Sequence, residues 1–415
     1  MEAQVKAAGP PRLWLLVLAP FAAGYFLSYL FRTVNAVISP DLVRELGLSA
    51  GDLGLLTSTY FFAFALFQLP LGILLDRYSP KRVEAVLLLI AALGALVFAL
   101  GGTNSTLVIG RALIGFGVSS CLMAGFTACA LWYPPARLPA VNALILCAGG
   151  LGALTATAPV EAALHVTDWR GLFFVLAGLS VLAAAVIFFV VPERPRSVHH
   201  TTWREQWQGA LAVFRNREFW HVAPAATISQ ASFMAIQGLW AGPWLRTVAG
   251  LTRDAAATYL FWTAAALFVG QLGWGFMASR LARHGVAPLT LLKIGIGMFM
   301  LVVACLVAGW SSLPLWVALG FFGVSGSIAY PIIAQRFPAA QAGRANTSLN
   351  LLVFLCAFFL QWLIGVIINA WPAPQGGYLA AGYTAAFGAV LLMQAVTFAW
   401  LLTKKPSPRP SSEQI

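Results

Sequence analysis

Apolar residues fill this chain in runs of about twenty, broken by short polar interruptions. The two-residue alternation of a half-buried strand is absent from these runs. A run of about 20 residues is what an α-helix needs to cross the hydrocarbon of a bilayer. Twelve such spans are predicted, at 13–38, 52–75, 83–101, 107–131, 139–162, 171–191, 219–245, 255–279, 287–308, 313–334, 345–369 and 378–402. The expected fold is therefore all-α and integral to the membrane. The first apolar run continues past Leu30, too far for a signal-peptide core, and is read as an uncleaved first span.

One interruption is long and charged, at 192–218, and divides the spans six and six. Within it Trp203, Trp207, Leu211 and Phe214 recur at helical spacing, which predicts an amphipathic helix on the membrane surface. A second pattern crosses that division. Gln68–Arg77 reads QLPLGILLDR and Gln271–Arg280 reads QLGWGFMASR, so Gln68, Leu69, Gly72 and Arg77 match Gln271, Leu272, Gly275 and Arg280 at a constant offset of 203 residues. Each stretch follows the second span of its half. A duplicated six-helix unit is expected, with bundles at 1–191 and 219–402, a linker at 192–218 and a tail at 403–415; such repeats mark transporters whose halves move about a central site.

Composition agrees. The 415 residues are 60% hydrophobic and 9% charged, against about 25% charged in soluble domains. The net charge of +12 is not gathered into a stripe, which argues against nucleic acid. Most of the 25 lysines and arginines fall in the interruptions of one parity, leaving Arg44, Arg170, Arg246 and Arg253 on the other side, so both termini are expected in the cytoplasm. The five cysteines lie in apolar runs without a CxxC pair, and His199–His200 has no cysteine nearby, so neither a metal site nor another cofactor is expected. Trp132, Trp169, Trp244, Trp310, Trp316, Trp371 and Trp400 lie near span ends, as interfacial anchors do.

Ionisable groups inside spans are costly, about 2.5–3.5 kcal/mol for Arg at a helix centre, and point to function. Arg32 shares a helix face with Tyr25, Ser28, Tyr29 and Asn35. That face reads either as a cavity wall or as a stem that carries Arg32 outward to the surface. Arg111 in the fourth span is either a second site residue or a brace between helices. Gln230, Phe233, Met234, Gln237 and Trp240 line one face of the seventh span, and Asn346, Asn350, Phe354 and Gln361 punctuate the eleventh; both suit an opposing cavity wall or interhelical packing. Asp41 and Glu161 near span ends are the candidates for coupling to protons. Glu84 lies at the start of the third span, and none of the three reads as buried at mid-membrane. His165 falls in a loop. No Walker motif is present, so transport would be secondary, and no nucleophile, base or ligand cluster suggests an enzyme.

The chain resembles the major facilitator superfamily over nearly its whole length. Gly72, Asp76, Arg77, Lys81 and Arg82 follow the family's loop G-x-x-x-D-R-x-G-R-x-R, with Ser79 for a glycine and Pro80 before the basic pair. Arg111–Gly117 fits R-x-x-x-G-x-G, and Asp168-Trp169-Arg170 precedes the sixth span. The resemblance implies that Asp76 docks on the start of the eleventh span, Gly343-Arg344-Ala345-Asn346, and latches a cytoplasmic gate; Gly275 and Arg280 are the repeat's counterparts. YLFRTVNAVISP resembles the first span of the organophosphate and sugar-acid branch, where the matching Arg binds the substrate's anionic group. The second Arg of organophosphate exchangers is missing from the seventh span, which favours a carboxylate. The Gly-Pro of drug exporters is replaced by Ala158-Pro159. The expected function is proton-linked uptake of a small organic anion by a monomer in a bacterial inner membrane. An exporter of hydrophobic compounds, and a sensor that binds without transport, are the alternatives.

Overall fold

Many helices in the computed structural model, which describes residues 14–134, 137–194, 203–374 and 376–403, begin where the sequence supplies a cap or a proline. A π-turn at Trp14–Leu18 leads into α1 (Ala19–Thr33). α2 (Asn35–Leu46) prolongs the first span beyond its expected end at 38, carries Pro40 within it, and stops at Gly47. Ser49 and Asp52 form a capping box at the head of α3 (Ala50–Arg77), satisfying two donors that the first turn leaves free. Pro80 opens α4 (Pro80–Leu100), where its missing N–H costs nothing. The proline that departs from the family's loop is thus a helix start.

A second capping box, Thr103 with Thr106, opens α5 (Asn104–Gly117), which continues after a short break as α6 (Cys121–Trp132). The fifth span is α7 (Leu138–Thr155) and α8 (Ala158–Leu164), bent by 42° at the break before Pro159. Asp168 caps α9 (Trp169–Val190) by accepting from Gly171 N. The amphipathic segment of the linker is α10 (Trp203–Phe214). The seventh span runs through α11 (Arg217–Ala235), a π-turn at Ile236–Trp240 and α12 (Ala241–Thr247). Then follow α13 (Arg253–Arg283), capped by Thr252, and α14 (Pro288–Val307). The tenth span is α15 (Leu313–Gly323), a 3-10 turn at Ser325–Ile328 and α16 (Ala329–Ala334). α17 (Ala339–Asn369) and α18 (Ala380–Thr403) complete the chain.

Among the described residues, ten helices are long and apolar enough to cross a membrane, and eleven with the bent fifth span. The seventh of the twelve predicted spans is helical but outside that number, being rich in Ser, Thr and Gln. The outward faces are apolar. On α9, Val175, Leu179, Leu182 and Phe189 are exposed while Ser180 is buried, the polarity of a helix that meets hydrocarbon. The R-x-x-x-G-x-G motif has a packing cause: a Cβ on Gly115 would overlap the backbone of Tyr60, and one on Gly117 that of Ala91, so α5 lies flush on α3 and α4.

Three seams join the segments before and after the linker. α3 lies along α17, α7 and α8 lie against α13, and α2 meets the π-turn and α12. The tryptophans divide. Trp310 and Trp400 are exposed, as anchors are, but Trp169, Trp244 and Trp316 are buried, with Trp244 and Trp316 centroids 5.4 Å apart. Proximity to a span end is not exposure, because the loops and neighbouring helices cover these three.

Candidate functional site

Arg32 sits on the last turn of α1, only 8% exposed. It does not reach outward along its stem. Its guanidinium carbon lies 4.4 Å from the Tyr29 ring centroid, 5.1 Å from Phe354 and 5.6 Å from Phe64. Phe64 of α3 and Phe354 of α17 stack at 4.1 Å, so the box around the cation is closed from both sides of the α3–α17 seam. Among the described residues no carboxylate pairs with Arg32. Aromatic faces attract a guanidinium, and Arg32 Nε has no hydrogen-bond partner, a donor open to an anion.

Polar groups from both repeats gather beside this box. Gln271 of α13 donates to Tyr29 Oη at 3.2 Å, and Asn350 of α17 donates to Gln68 Oε1 at 3.3 Å. Tyr330 of α16, near Tyr29 and Arg32, donates to Asn350 Oδ1 at 2.9 Å. The two glutamines of the repeat each cross to the other side. Sequence reasoning recorded their identity but gave them no place in the site; their recurrence at equivalent positions was the available signal. Phe64 and Tyr330 carried no signal beyond their apolar surroundings.

The other candidates lie outside this box. Asn35 donates to Thr57 Oγ1 at 2.9 Å. Arg111, fully buried, donates to the Phe31 carbonyl at 2.9 Å and lies 5.2 Å from the Tyr60 centroid, while its Nε and Nη2 have no hydrogen-bond partner. It braces α5 on α1 one residue before Arg32. Gln237 is buried in the π-turn. Trp240 is buried and donates to the Gln361 carbonyl at 2.9 Å, pinning the π-turn to α17, and the Gln361 amide itself is buried without a partner.

At the Asp41 end of the bundle a single arginine bridges two acids. Arg253, at the head of α13, meets both Asp41 oxygens at 2.6 and 3.0 Å and Glu161 Oε1 at 2.5 Å. Asp41 also takes Arg44 at 2.8 Å, and His165 lies 3.4 Å from Asp254. Both bridged acids are buried, because α13 closes over them. Ligand atoms of Glu161, His165 and Asp254 lie within 4.8 Å of one another, but Glu161 is committed to Arg253 and the other two are exposed, so no metal centre is read there. Nearby, Glu45 accepts from Trp169 at 2.7 Å and from Arg170 at 2.6 Å, and Arg170 also donates to the Ala99 and Gly101 carbonyls. These bonds hold the Glu45 carboxyl below its usual range, Arg170 contributing most.

At the opposite end, the gating stretch grips its own half. Lys81 donates to the Val191 carbonyl at 3.1 Å, and Arg82 pairs with Glu193 at 2.9 Å. Arg77 and Arg280 are exposed, and Gly275 stands clear of its neighbours. Arg344 lies against Gly209 of α10, where a Cβ would overlap it. The side chains of Asp76, Trp203 and Trp207, and the His199–His200 pair, lie outside the described residues.

Comparison with known proteins places this architecture. The family model described as Major Facilitator Superfamily matches residues 21–359. A probable L-galactonate transporter of Escherichia coli is 23% identical over 401 residues, covering 90% of this chain and 87% of that protein. A probable sulfoacetate transporter of Cupriavidus necator is 24% identical over 401 residues, covering 94% and 88%. Among solved structures, an inward-facing bacterial homologue of the human lysosomal transporter Spinster aligns with a TM-score of 0.75 at 16% identity, covering 95% of this chain and 97% of the other.

Proposed function

The chain belongs to the Major Facilitator Superfamily, and on that premise we propose that this multi-pass membrane transporter is a secondary carrier that takes up a small organic carboxylate with protons. Arg32 is the observation that carries the reading: a buried guanidinium, boxed by Tyr29, Phe64 and Phe354, with no acid of the described residues to neutralise it. An unpaired buried cation is costly, and an incoming carboxylate removes that cost through two parallel charge-assisted hydrogen bonds. Tyr29, Asn350 and the two repeat glutamines supply orienting contacts. The similarity to a probable L-galactonate transporter and a probable sulfoacetate transporter, both aligned over most of their length, supports the same class.

The mechanism is alternating access between bundles at 1–191 and 219–402, in a bacterial inner membrane, with termini and linker in the cytoplasm and the carrier acting as a monomer. The bridge of Asp41 and Glu161 to Arg253 then seals the periplasmic side. Asp76, docking on the start of α17, latches the cytoplasmic side in the opposite state.

A thermal-shift titration of purified protein with L-galactonate and sulfoacetate tests the site. A charge-assisted pair contributes about 1.5–3 kcal/mol, so Arg32→Ala weakens the stabilising acid about ten- to a hundredfold. A wild-type shift that persists undiminished in the Arg32→Ala protein removes the anion site.

A further inference from the structure

One buried acid of a candidate membrane span takes no part in the arrangements above. Glu84, in the second turn of α4, is 0% exposed, and neither carboxylate oxygen has a hydrogen-bond partner. The sequence placed it at a span end; the fold encloses it because α1 lies across it. The carboxylate lies directly against the α1 backbone at Gly24, where a Cβ would overlap Glu84 Oε1. The Cys121 thiol of α6 stands beside it, a weak donor only.

No cation among the described residues pairs with Glu84. α9, packed along α4, carries one ionisable group, Arg170, bonded to carbonyls at the far end of α4. Arg111 of α5 is held by the Phe31 carbonyl. On its own helix, Lys81 and Arg82 are turned to Val191 and Glu193. α3 offers Arg77, which is exposed beside Tyr78. α1 presents Tyr25 next to Gly24, and Arg32, which lies on the Gly24–Ser28–Arg32 face about 12 Å further along the helix. A bare carboxylate is costly in such surroundings and a neutral acid is tolerated. Acids of this kind inside a membrane mark proton pathways.

We propose that Glu84 is the proton-binding site of transport. Its carboxylate takes up one proton as the anion settles on Arg32 and gives it up as the anion leaves, so that one proton crosses with one negative charge. Gly24, Ser28 and Arg32 on a single face of α1 link the two events, because a shift of α1 at Arg32 moves the lid over Glu84. The inference rests on the transport reading, and two readouts separate their failures.

The first readout needs no substrate. The pH-difference infrared spectrum of wild-type protein contains a protonated carboxyl C=O band, which Glu84→Gln abolishes and Glu84→Asp shifts. Identical spectra for wild type and Glu84→Gln overturn the proposal. The second uses proteoliposomes and labelled L-galactonate or sulfoacetate. Glu84→Gln keeps exchange down to equilibrium but loses at least tenfold of the accumulation driven by an imposed pH gradient, and Glu84→Asp regains part of it. If Glu84→Gln accumulates like wild type, or Glu84→Asp is as uncoupled as Glu84→Gln, Glu84 only packs. If wild type exchanges neither acid, the transport reading of substrate class falls while the infrared result still decides Glu84.

Discussion

At the scale of single residues, two buried arginines one helix apart have opposite roles. Arg32 makes its contacts with aromatic rings and keeps Nε without a partner, whereas Arg111 bonds the Phe31 carbonyl through Nη1 and holds α1 in place. Arg111→Lys therefore lowers the melting temperature, with a loss of about 1–3 kcal/mol from the broken buried bond, and changes anion affinity far less than Arg32→Lys does. Melting curves with and without L-galactonate separate the two. The Arg32 site was half legible in the sequence. Its helix face and its Arg were read directly, because spacing along one helix is a local property. Phe64 and Tyr330 were not, because which residues of other helices complete a box depends on how those helices are rotated. Glu84 shows the same limit: position along a span is legible, but the contact with Gly24 comes from a helix crossing.

At the scale of elements, the Asp168-Trp169-Arg170 run works as a clamp. Asp168 caps α9, while Trp169 and Arg170 hold Glu45 of α2 and Arg170 holds the end of α4. Because the Glu45 carboxyl is held low when folded, its contribution is complete above its unfolded value of about 4.3 and is lost as pH falls through the folded value. Glu45→Gln accordingly melts below wild type at neutral pH, and the two curves converge under acid below about pH 4. A constant gap across that range removes the clamp. The element boundaries themselves were legible wherever a cap or proline marked them, at Ser49, Pro80, Thr103 and Thr252. The extension to α2 was not, since Asn35–Leu46 is too polar to be counted with the span before it.

At the scale of the whole molecule, the seam between repeats is held at the Asp41 end by ions and at the centre by amides. Replacing Arg253 with Ala frees the former and leaves the latter. A cysteine introduced at Ala36, buried under α12, then reacts with an impermeant maleimide added from the periplasmic side several-fold faster than in the Arg253 parent; equal rates dismiss the seal. At the other end, Asp76→Asn shifts the same labelling ratio toward the inward-facing form, and an unchanged ratio dismisses the latch. The ten-residue match between Gln68–Arg77 and Gln271–Arg280 was legible in the sequence, but its use was not: only the folded chain shows Gln68 and Gln271 reaching in opposite directions.

The bridge at Arg253 has an electrical consequence. One cation holds two acids, so withdrawing it leaves Asp41 to Arg44 alone and Glu161 with no other ion pair among the described residues. The two carboxylates draw Arg253 back, and a dissolved cation that settles between them first slows the return. The rate of closure, rather than of opening, should therefore depend most on the ions in the solution at that end.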